Sequence, residues 1–255
     1  AYPSVEIVLA AYNGGKYIAE LLNSIVCQTY DNWKILVRDD GSSDNTNEII
    51  DHYADSHPGK LRRIIDDNGN VGVIKNFEIL LGGCCADYIL LCDQDDFWMP
   101  DKIEKLINRM LSSENETSKD CPILIYSDYK IVDEELQVIA PSFWRLVNIK
   151  PWHNSLNRLL VENVITGCTV MMNRKLVEMC LPFRKQIIMH DWWMGLVAAL
   201  FGRLAYIEEQ LVCYRQHDRN VIGARSNRNK IKDFIRKLLA GKVIKMYKMN
   251  RDIIK

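Results

Sequence analysis

The sequence predicts an α/β protein: a mostly parallel central sheet flanked by helices, ending in a C-terminal helical tail. Over the first 130 residues, short aliphatic or β-branched runs alternate with longer stretches whose apolar residues recur at helical spacing. The short runs are apolar throughout, as strands covered on both faces should be. Acidic residues follow several of these runs, and open α/β sheets bind ligands beyond the carboxyl ends of their strands, where strand order reverses.

Val5–Ala10 is an apolar run closed by Asn13-Gly14-Gly15, a strand ending in a turn. Tyr17–Val26 sets Ile18, Leu21, Leu22 and Ile25 on one helical face. Trp33–Val37 is the second strand, and Asp44–Tyr53 a helix with an acidic first turn. Leu61–Ile65 and Val73–Leu81 repeat the pair. Tyr88–Cys92 is the fourth strand, and Pro100–Met110 a helix with proline at its start. A polar loop is expected over Ser112–Asp120, then a strand over Ile123–Tyr126. A hairpin over Lys130–Ile139 turns at Asp133-Glu134-Glu135. From Pro141 to Phe183 the periodicity weakens, leaving a short helix near Leu156–Val161 and a strand near Cys168–Met172. Asp191–Phe201 is an apolar helix, and Leu204–Ile207 and Leu211–Tyr214 form a strand pair. The pattern is one domain over residues 1–224, followed by a helical tail over 225–255.

The 255 residues are 48% hydrophobic and 26% charged, an ordinary globular balance. The 33 basic and 33 acidic residues cancel, which excludes nucleic-acid binding by bulk charge. The cancellation hides an asymmetry, because residues 225–255 carry eleven basic and two acidic side chains and the remainder is correspondingly acidic. In that tail Phe234, Ile235, Leu238 and Leu239 recur at helical spacing among Lys232, Arg236 and Lys237. A basic amphipathic helix fits peripheral contact with an anionic membrane and fits packing against the acidic body equally well. No run approaches the roughly 20 apolar residues of a membrane span, and no signal peptide opens the chain, so a cytoplasmic location is expected. The eight cysteines show no CxxC pair and read as reduced buried thiols.

Three acidic clusters stand at strand or helix ends. Asp39-Asp40-Gly41-Ser42 follows the second strand, where paired carboxylates can accept hydrogen bonds from a nucleobase or ribose, or cap a turn. Asp93-Gln94-Asp95-Asp96 ends the fourth. Three carboxylates in four residues leaving an apolar strand need compensation, and oxygen ligands at that density suit Mg²⁺ or Mn²⁺. His190-Asp191-Trp192-Trp193 opens the apolar helix, with Asp191 either an N-cap or a general base. Asn68-Gly69-Asn70-Val71-Gly72 offers backbone a ligand can approach, and Tyr214–Asn220 is a polar, basic loop with Arg215 and His217 available to a diphosphate.

Taken together, Val8-Leu-Ala-Ala-Tyr-Asn-Gly, Ser24-Ile-Val-Cys-Gln-Thr-Tyr, Val37-Arg-Asp-Asp-Gly-Ser-Ser-Asp and Cys92-Asp-Gln-Asp-Asp-Phe-Trp-Met-Pro-Asp-Lys resemble the inverting family-2 glycosyltransferases of GT-A fold. The resemblance is strong over about residues 4–110 and looser at His190–Trp193 and Arg215–Asn220. It implies a nucleotide-binding half at 1–110 and an acceptor-binding half at 111–224. It implies that Ala11, Tyr12, Asn13, Asp39 and Asp40 line the donor base pocket, with Asp40 nearer the ring. Asp93 would hold ribose, and Asp95, helped by His217, the Mn²⁺ or Mg²⁺. Asp191 is left as the base, in a Glu-Asp pair whose first member is His190 here. Arg215, His190 and Trp192 would contact diphosphate or acceptor. The implied reaction moves a sugar from a nucleoside-diphosphate sugar to a hydroxyl of a glycan or lipid-linked glycan, as in bacterial surface polysaccharide synthesis. The helix start also resembles the rhamnosyltransferase-like branch. A metal-dependent phosphotransferase also places Asp-x-Asp after a strand, but Phe97 occupies the place where that chemistry wants a hydroxyl. A non-catalytic nucleotide- or glycan-binding module would have no need of Asp191.

Overall fold

The computed structural model describes residues 2–218; the basic tail over 225–255, along with Arg219 and Asn220 of the last loop, lies outside them. Alternation of side chains explains why the first strand reads as unbroken apolar sequence. In β1 (Val5–Ala11), Val5, Ile7, Leu9 and Ala11 enter one apolar layer while Val8 enters the other. Burying each such side chain contributes roughly 1.5–3 kcal/mol, so a one-residue slip of register would misplace both layers at once.

The layers are covered by α1 (Ile18–Val26), α2 (Thr46–Ser56) and α4 (Lys102–Glu116) on one face. On the other lie α3 (Val73–Gly82), α7 (Arg174–Cys180) and α8 (His190–Phe201). Two short helices, α5 (Phe143–Val147) and α6 (Leu156–Leu159), precede α7. The remaining strands are β2 (Trp33–Asp39), β3 (Leu61–Arg63), β4 (Tyr88–Asp93), β5 (Phe97–Trp98), β6 (Ile123–Val132), β7 (Val138–Ala140), β8 (Met171–Asn173) and β9 (Arg203–Arg215). Among the described residues they form one sheet in the order β3-β2-β1-β4-β8-β6-β9-β5, with β7 on β6. The strands β3, β2, β1 and β4 are mutually parallel; β8 inserts antiparallel, and β6 and β9 resume the first direction. No helix among the described residues is long and apolar enough to cross a membrane.

Several elements differ from their sequence expectation. The polar stretch after Met110 continues α4 to Glu116, because its polar side chains find partners: the Ser113 hydroxyl donates to the Arg109 carbonyl at 2.9 Å, and Glu114 accepts from the Tyr88 hydroxyl at 2.8 Å. Leu204–Ile207 and Leu211–Tyr214 are one strand. Register shifts against β6 around Asp128 accommodate Glu208 and Glu209, whose charges break the apolar pattern. Residues 168–172 divide into a 3₁₀ turn, Gly167–Thr169, and β8. Helix α7, unread in the sequence, is capped by Asn173, whose side-chain Oδ1 accepts from the Leu176 amide at 3.2 Å.

Candidate active site

Strand order reverses at β1, which pairs with β2 on one side and β4 on the other. Ala10 stands opposite both Arg38 and Asp93, and Ala11 opposite Asp39. The ends of β2 and β4 thus sit one strand either side of Ala10–Ala11, about 10 Å apart at the usual interstrand spacing. The sequence therefore brings Ala11, Asp39 and Asp93 to the same rim of the sheet.

The β1 turn is tied to both neighbours. The Tyr12 amide donates to Gln94 Oε1 at 2.8 Å, and Gln94 Nε2 donates to the Tyr12 carbonyl at 2.7 Å. The Asn13 amide donates to the Ser42 hydroxyl at 2.8 Å, and Asn13 Oδ1 accepts from the Ser43 amide at 2.9 Å. Tyr12 is left 48% exposed, an aromatic ring at the mouth of the cleft. A Cβ on Gly14 would stand 2.2 Å from Gln94 Oε1, so any larger residue there would have to displace Gln94 from its contacts with Tyr12.

Asp39 is half-buried and organises its own turn, accepting from the amides of Gly41 and Ser42, from the Ser42 hydroxyl and from Asn47 Nδ2. Asp40, the member of the pair expected nearer the base, is the more deeply buried of the two. It is buried, and its oxygens accept from Arg38 at 2.7 Å and from the amides of Val71 and Gly72 at 2.9 and 2.8 Å. It pins the 66–72 loop, and Asp39 is the member of the pair left at the cleft.

The β4 end gathers the charge. Asp93 is pushed up to about 7 by burial, then by the neighbouring Asp95 and Asp191 carboxylates. Asp96 is fully buried and raised by that burial, then by Asp95 and Asp93; its Oδ1 accepts from the Arg215 amide at 3.3 Å, while Oδ2 meets no nitrogen or oxygen donor among the described residues. Asp95 Oδ2 lies 2.8 Å from His217 Nε2. Beneath them sits Lys102, fully buried, its ammonium 3.3 Å from the centre of the Trp98 ring and donating to the Cys168 carbonyl at 2.7 Å. Burial lowers it to about 8. Sequence reasoning missed Lys102 as a site residue, although a lysine nine positions after Asp93, on the first turn of a helix, was a usable signal.

This donor set fits a divalent cation of the Mg²⁺ or Mn²⁺ kind. Carboxylates outnumber the buried cations Lys102 and Arg215, one Asp96 oxygen meets no nitrogen or oxygen donor among the described residues, and oxygen atoms dominate. Asp93, Asp96 and Cys168 each place a potential ligand atom within 4.8 Å of the others. The Cys168 thiol is raised well above its ordinary value by burial and nearby carboxylates, which disfavours thiolate ligation and leaves the oxygens to do the holding.

Asp191 lies in the first turn of α8, past the N-cap position held by Met189, and is 7% exposed. Its Oδ2 accepts from the Gly167 amide at 3.0 Å, and Oδ1 accepts from the Trp192 amide at 2.6 Å and from Asn163 Nδ2 at 3.5 Å. Burial raises it to about 6 against those donors. Asn163 and Gly167 fall in the stretch where periodicity fails, so their convergence on Asp191 was invisible in sequence.

The three residues expected at the diphosphate or acceptor are buried in this structure. The His190 ring stacks on Phe77 with centroids 4.1 Å apart and is depressed to about 3 by desolvation, so it is neutral. The Trp192 indole donates to the Leu159 carbonyl at 2.6 Å within the second apolar layer. Arg215 is buried, donating to the carbonyls of Asp95 and Glu134 and to the Glu20 carboxylate. All three brace the site from behind.

An α/β sheet with acidic strand ends at its switch point, a buried carboxylate at a helix start and no Gly-rich phosphate loop defines a GT-A-type fold. The Glycosyl transferase family 2 profile matches residues 6–180, and the chain belongs to that family. It is 29% identical over 230 residues to a protein of Shigella flexneri named dTDP-rhamnosyl transferase RfbG, covering 85% of this chain and 74% of that one. It is also 29% identical over 215 residues to an uncharacterized protein of Mycobacterium tuberculosis, covering 84% of this chain and 59% of the relative, so the chain spans about three fifths of that relative's length. Among solved structures, Staphylococcus aureus TarS 1–349 in complex with UDP-GlcNAc superposes with a TM-score of 0.63 at 17% identity, over 85% of this chain and 60% of that chain. The Pyrobaculum calidifontis mannosyltransferase in complex with GDP-Man and Mn²⁺ gives 0.64 at 15% identity, over 86% and 59%.

Proposed function

We propose that the protein transfers a sugar, with inversion, from a nucleoside-diphosphate sugar to an acceptor hydroxyl, with Asp191 as general base. The observation that supports this is the Gly167-Cys168 link: the Gly167 amide donates to Asp191 at 3.0 Å, and the Cys168 thiol next to it lies within 4.8 Å of carboxylate oxygens of Asp93 and Asp96, so the base candidate stands beside the acidic end of β4. In a single displacement the acceptor oxygen bonds to the anomeric carbon as the bond to the diphosphate breaks, and Asp191 takes the hydroxyl proton. Asp39, with the backbone of Ala11 and Asn13 and the exposed Tyr12 ring, would receive the base, and Asp93 the ribose. Asp95, with His217, would hold a divalent ion. When bound, Mn²⁺ or Mg²⁺ supplies neutralising charge for the departing diphosphate. Residues 1–110 then serve the donor and 111–224 the acceptor.

The Shigella relative's name supports dTDP-rhamnose as the first donor to try over a UDP- or GDP-hexose, and a glycan or lipid-linked glycan of bacterial surface polysaccharide as acceptor. A cytoplasmic location, peripheral to the inner face of a membrane through the basic tail, would suit that acceptor. Calorimetric titration of dTDP, UDP and GDP, with and without Mn²⁺, into wild type and Asp95→Ala is the test. Mn²⁺-dependent binding of one nucleotide, lost in the variant, is expected. No binding to folded wild type would refute the proposal.

A further inference from the structure

Asp39 and Asp93 are carried on strand ends, but His217 is not. It follows Arg215, the last residue of β9, and reaches Asp95 from beyond the sheet. The Gln216 amide still donates to the Val132 carbonyl at 2.9 Å, and the described side-chain contacts of His217 beyond it converge on Asp95 and the start of α1. The Tyr17 ring, 8% exposed, stacks on the His217 imidazole with centroids 5.0 Å apart and planes at 29°. The Arg215 guanidinium carbon lies 4.6 Å from the centre of the same ring. One helical turn on, the Glu20 carboxylate accepts from Arg215. The Tyr17 hydroxyl donates to the Glu134 carboxylate at 2.9 Å, and the Glu134 carbonyl accepts from Arg215. Arg215 Nε in turn donates to the Asp95 carbonyl at 2.9 Å. Thus the start of α1, the β6–β7 turn and the end of β9 close one network, and both its outlets, Arg215 and His217, end on Asp95.

We infer that Tyr17 is a positioning residue for cation binding: its ring fixes His217 against Asp95, with Glu20 fixing Arg215 from the same face of α1. The inference rests on the donor-site reading above, in which Asp95 and His217 hold the ion. A tyrosine that merely filled space would affect stability and all ligands alike. One that aligns His217 affects the cation selectively.

The test is titration of Mn²⁺ into full-length protein saturated with whichever of dTDP, UDP or GDP binds, alongside nucleotide binding without metal and thermal unfolding. Tyr17→Leu removes the ring, and Tyr17→Phe keeps it. Outer-shell partners of metal ligands typically contribute 10–100-fold in metal affinity. Tyr17→Leu is expected to weaken Mn²⁺ about 10-fold or more while metal-free nucleotide affinity stays within about twofold, and Tyr17→Phe is expected to restore most of the loss. Folded Tyr17→Leu with wild-type Mn²⁺ affinity would overturn the inference, as would a parallel fall in metal-free nucleotide binding, or Tyr17→Phe as weak as Tyr17→Leu. Should Tyr17→Leu not fold, Glu20→Gln at a half-exposed site decides: weaker Mn²⁺ binding supports the network, and unchanged affinity overturns it. A wild type that binds no nucleotide with Mn²⁺ would instead overturn the donor-site reading on which the inference rests.

Discussion

Replacing Asp191 with asparagine removes the proton acceptor while keeping size and most of the hydrogen-bonding shape. A positioned general base contributes roughly 10²–10⁴-fold, equivalent to about 2.7–5.5 kcal/mol on the barrier. Turnover of Asp191→Asn should fall by that factor with nucleotide affinity unchanged, since Asp191 lies outside the proposed base and ribose contacts. The wild type carries a second signature. Burial raises Asp191 to about 6, and only the ionised form accepts a proton. Turnover should therefore be half-maximal near pH 6, about 90% at pH 7 and about 10% at pH 5 for a single ionisation. Hydrogen bonds from Asn163 and Gly167 favour the charged form, so Asn163→Ala should move this acid limb upward. The assay is release of nucleoside diphosphate from the nucleotide sugar with a panel of glycan acceptors, or with water in their place. Asp191→Asn retaining turnover within about threefold, or an acid limb unmoved by Asn163→Ala, would refute the assignment.

Two further substitutions probe the frame. Asp40→Ala leaves Arg38 and the amides of Val71 and Gly72 without a shared buried acceptor; the expected cost is about 3–5 kcal/mol, read as a melting temperature lower by roughly 6–20 °C. A drop under about 4 °C would show that Asp66, the other carboxylate on Arg38, suffices. Lys102→Met keeps the buried stem but removes the cation beneath Asp93 and Asp96, so their folded-state carboxyls, already raised, should rise further. A raised carboxyl favours folding in its protonated form and loses that stability as pH climbs through the shifted range. The variant should therefore be more destabilised at pH 7.5 than at pH 5 in urea unfolding, and an equal loss at both would refute the counter-charge role.

How much of this was legible depends on the range of the interaction. The β1–β4 half is written in local pattern: apolar runs, a turn signal and a carboxylate at each end, all within a few residues of one another. Asp39, Asp93 and Asp95 could be placed at a strand rim because the parallel order follows from the βα alternation. Asp40 could not be told from Asp39, because what distinguishes them is the 66–72 loop folding back onto one and not the other. Arg215, His190 and Trp192 have the chemistry of ligand contacts, and only tertiary packing reveals that each is turned inward. Asn163 and Gly167 carry no periodic signal, since a short irregular segment is shaped by what it packs against.

The burial of those polar residues is itself informative about the site. A cleft holding Asp93, Asp95, Asp96 and Asp191 near one buried lysine would repel a diphosphate, and Asp93 and Asp96 are already raised toward neutrality by burial and then by neighbouring carboxylates. Turning Arg215 inward, onto carbonyls and Glu20, keeps its charge from cancelling the cleft while still locating Asp95. The acidity is thereby preserved for a mobile cation that arrives with the nucleotide. Were Arg215 aimed at the diphosphate instead, a metal-independent donor site would follow, so retention of full nucleotide affinity in EDTA is the observation that would count against this account.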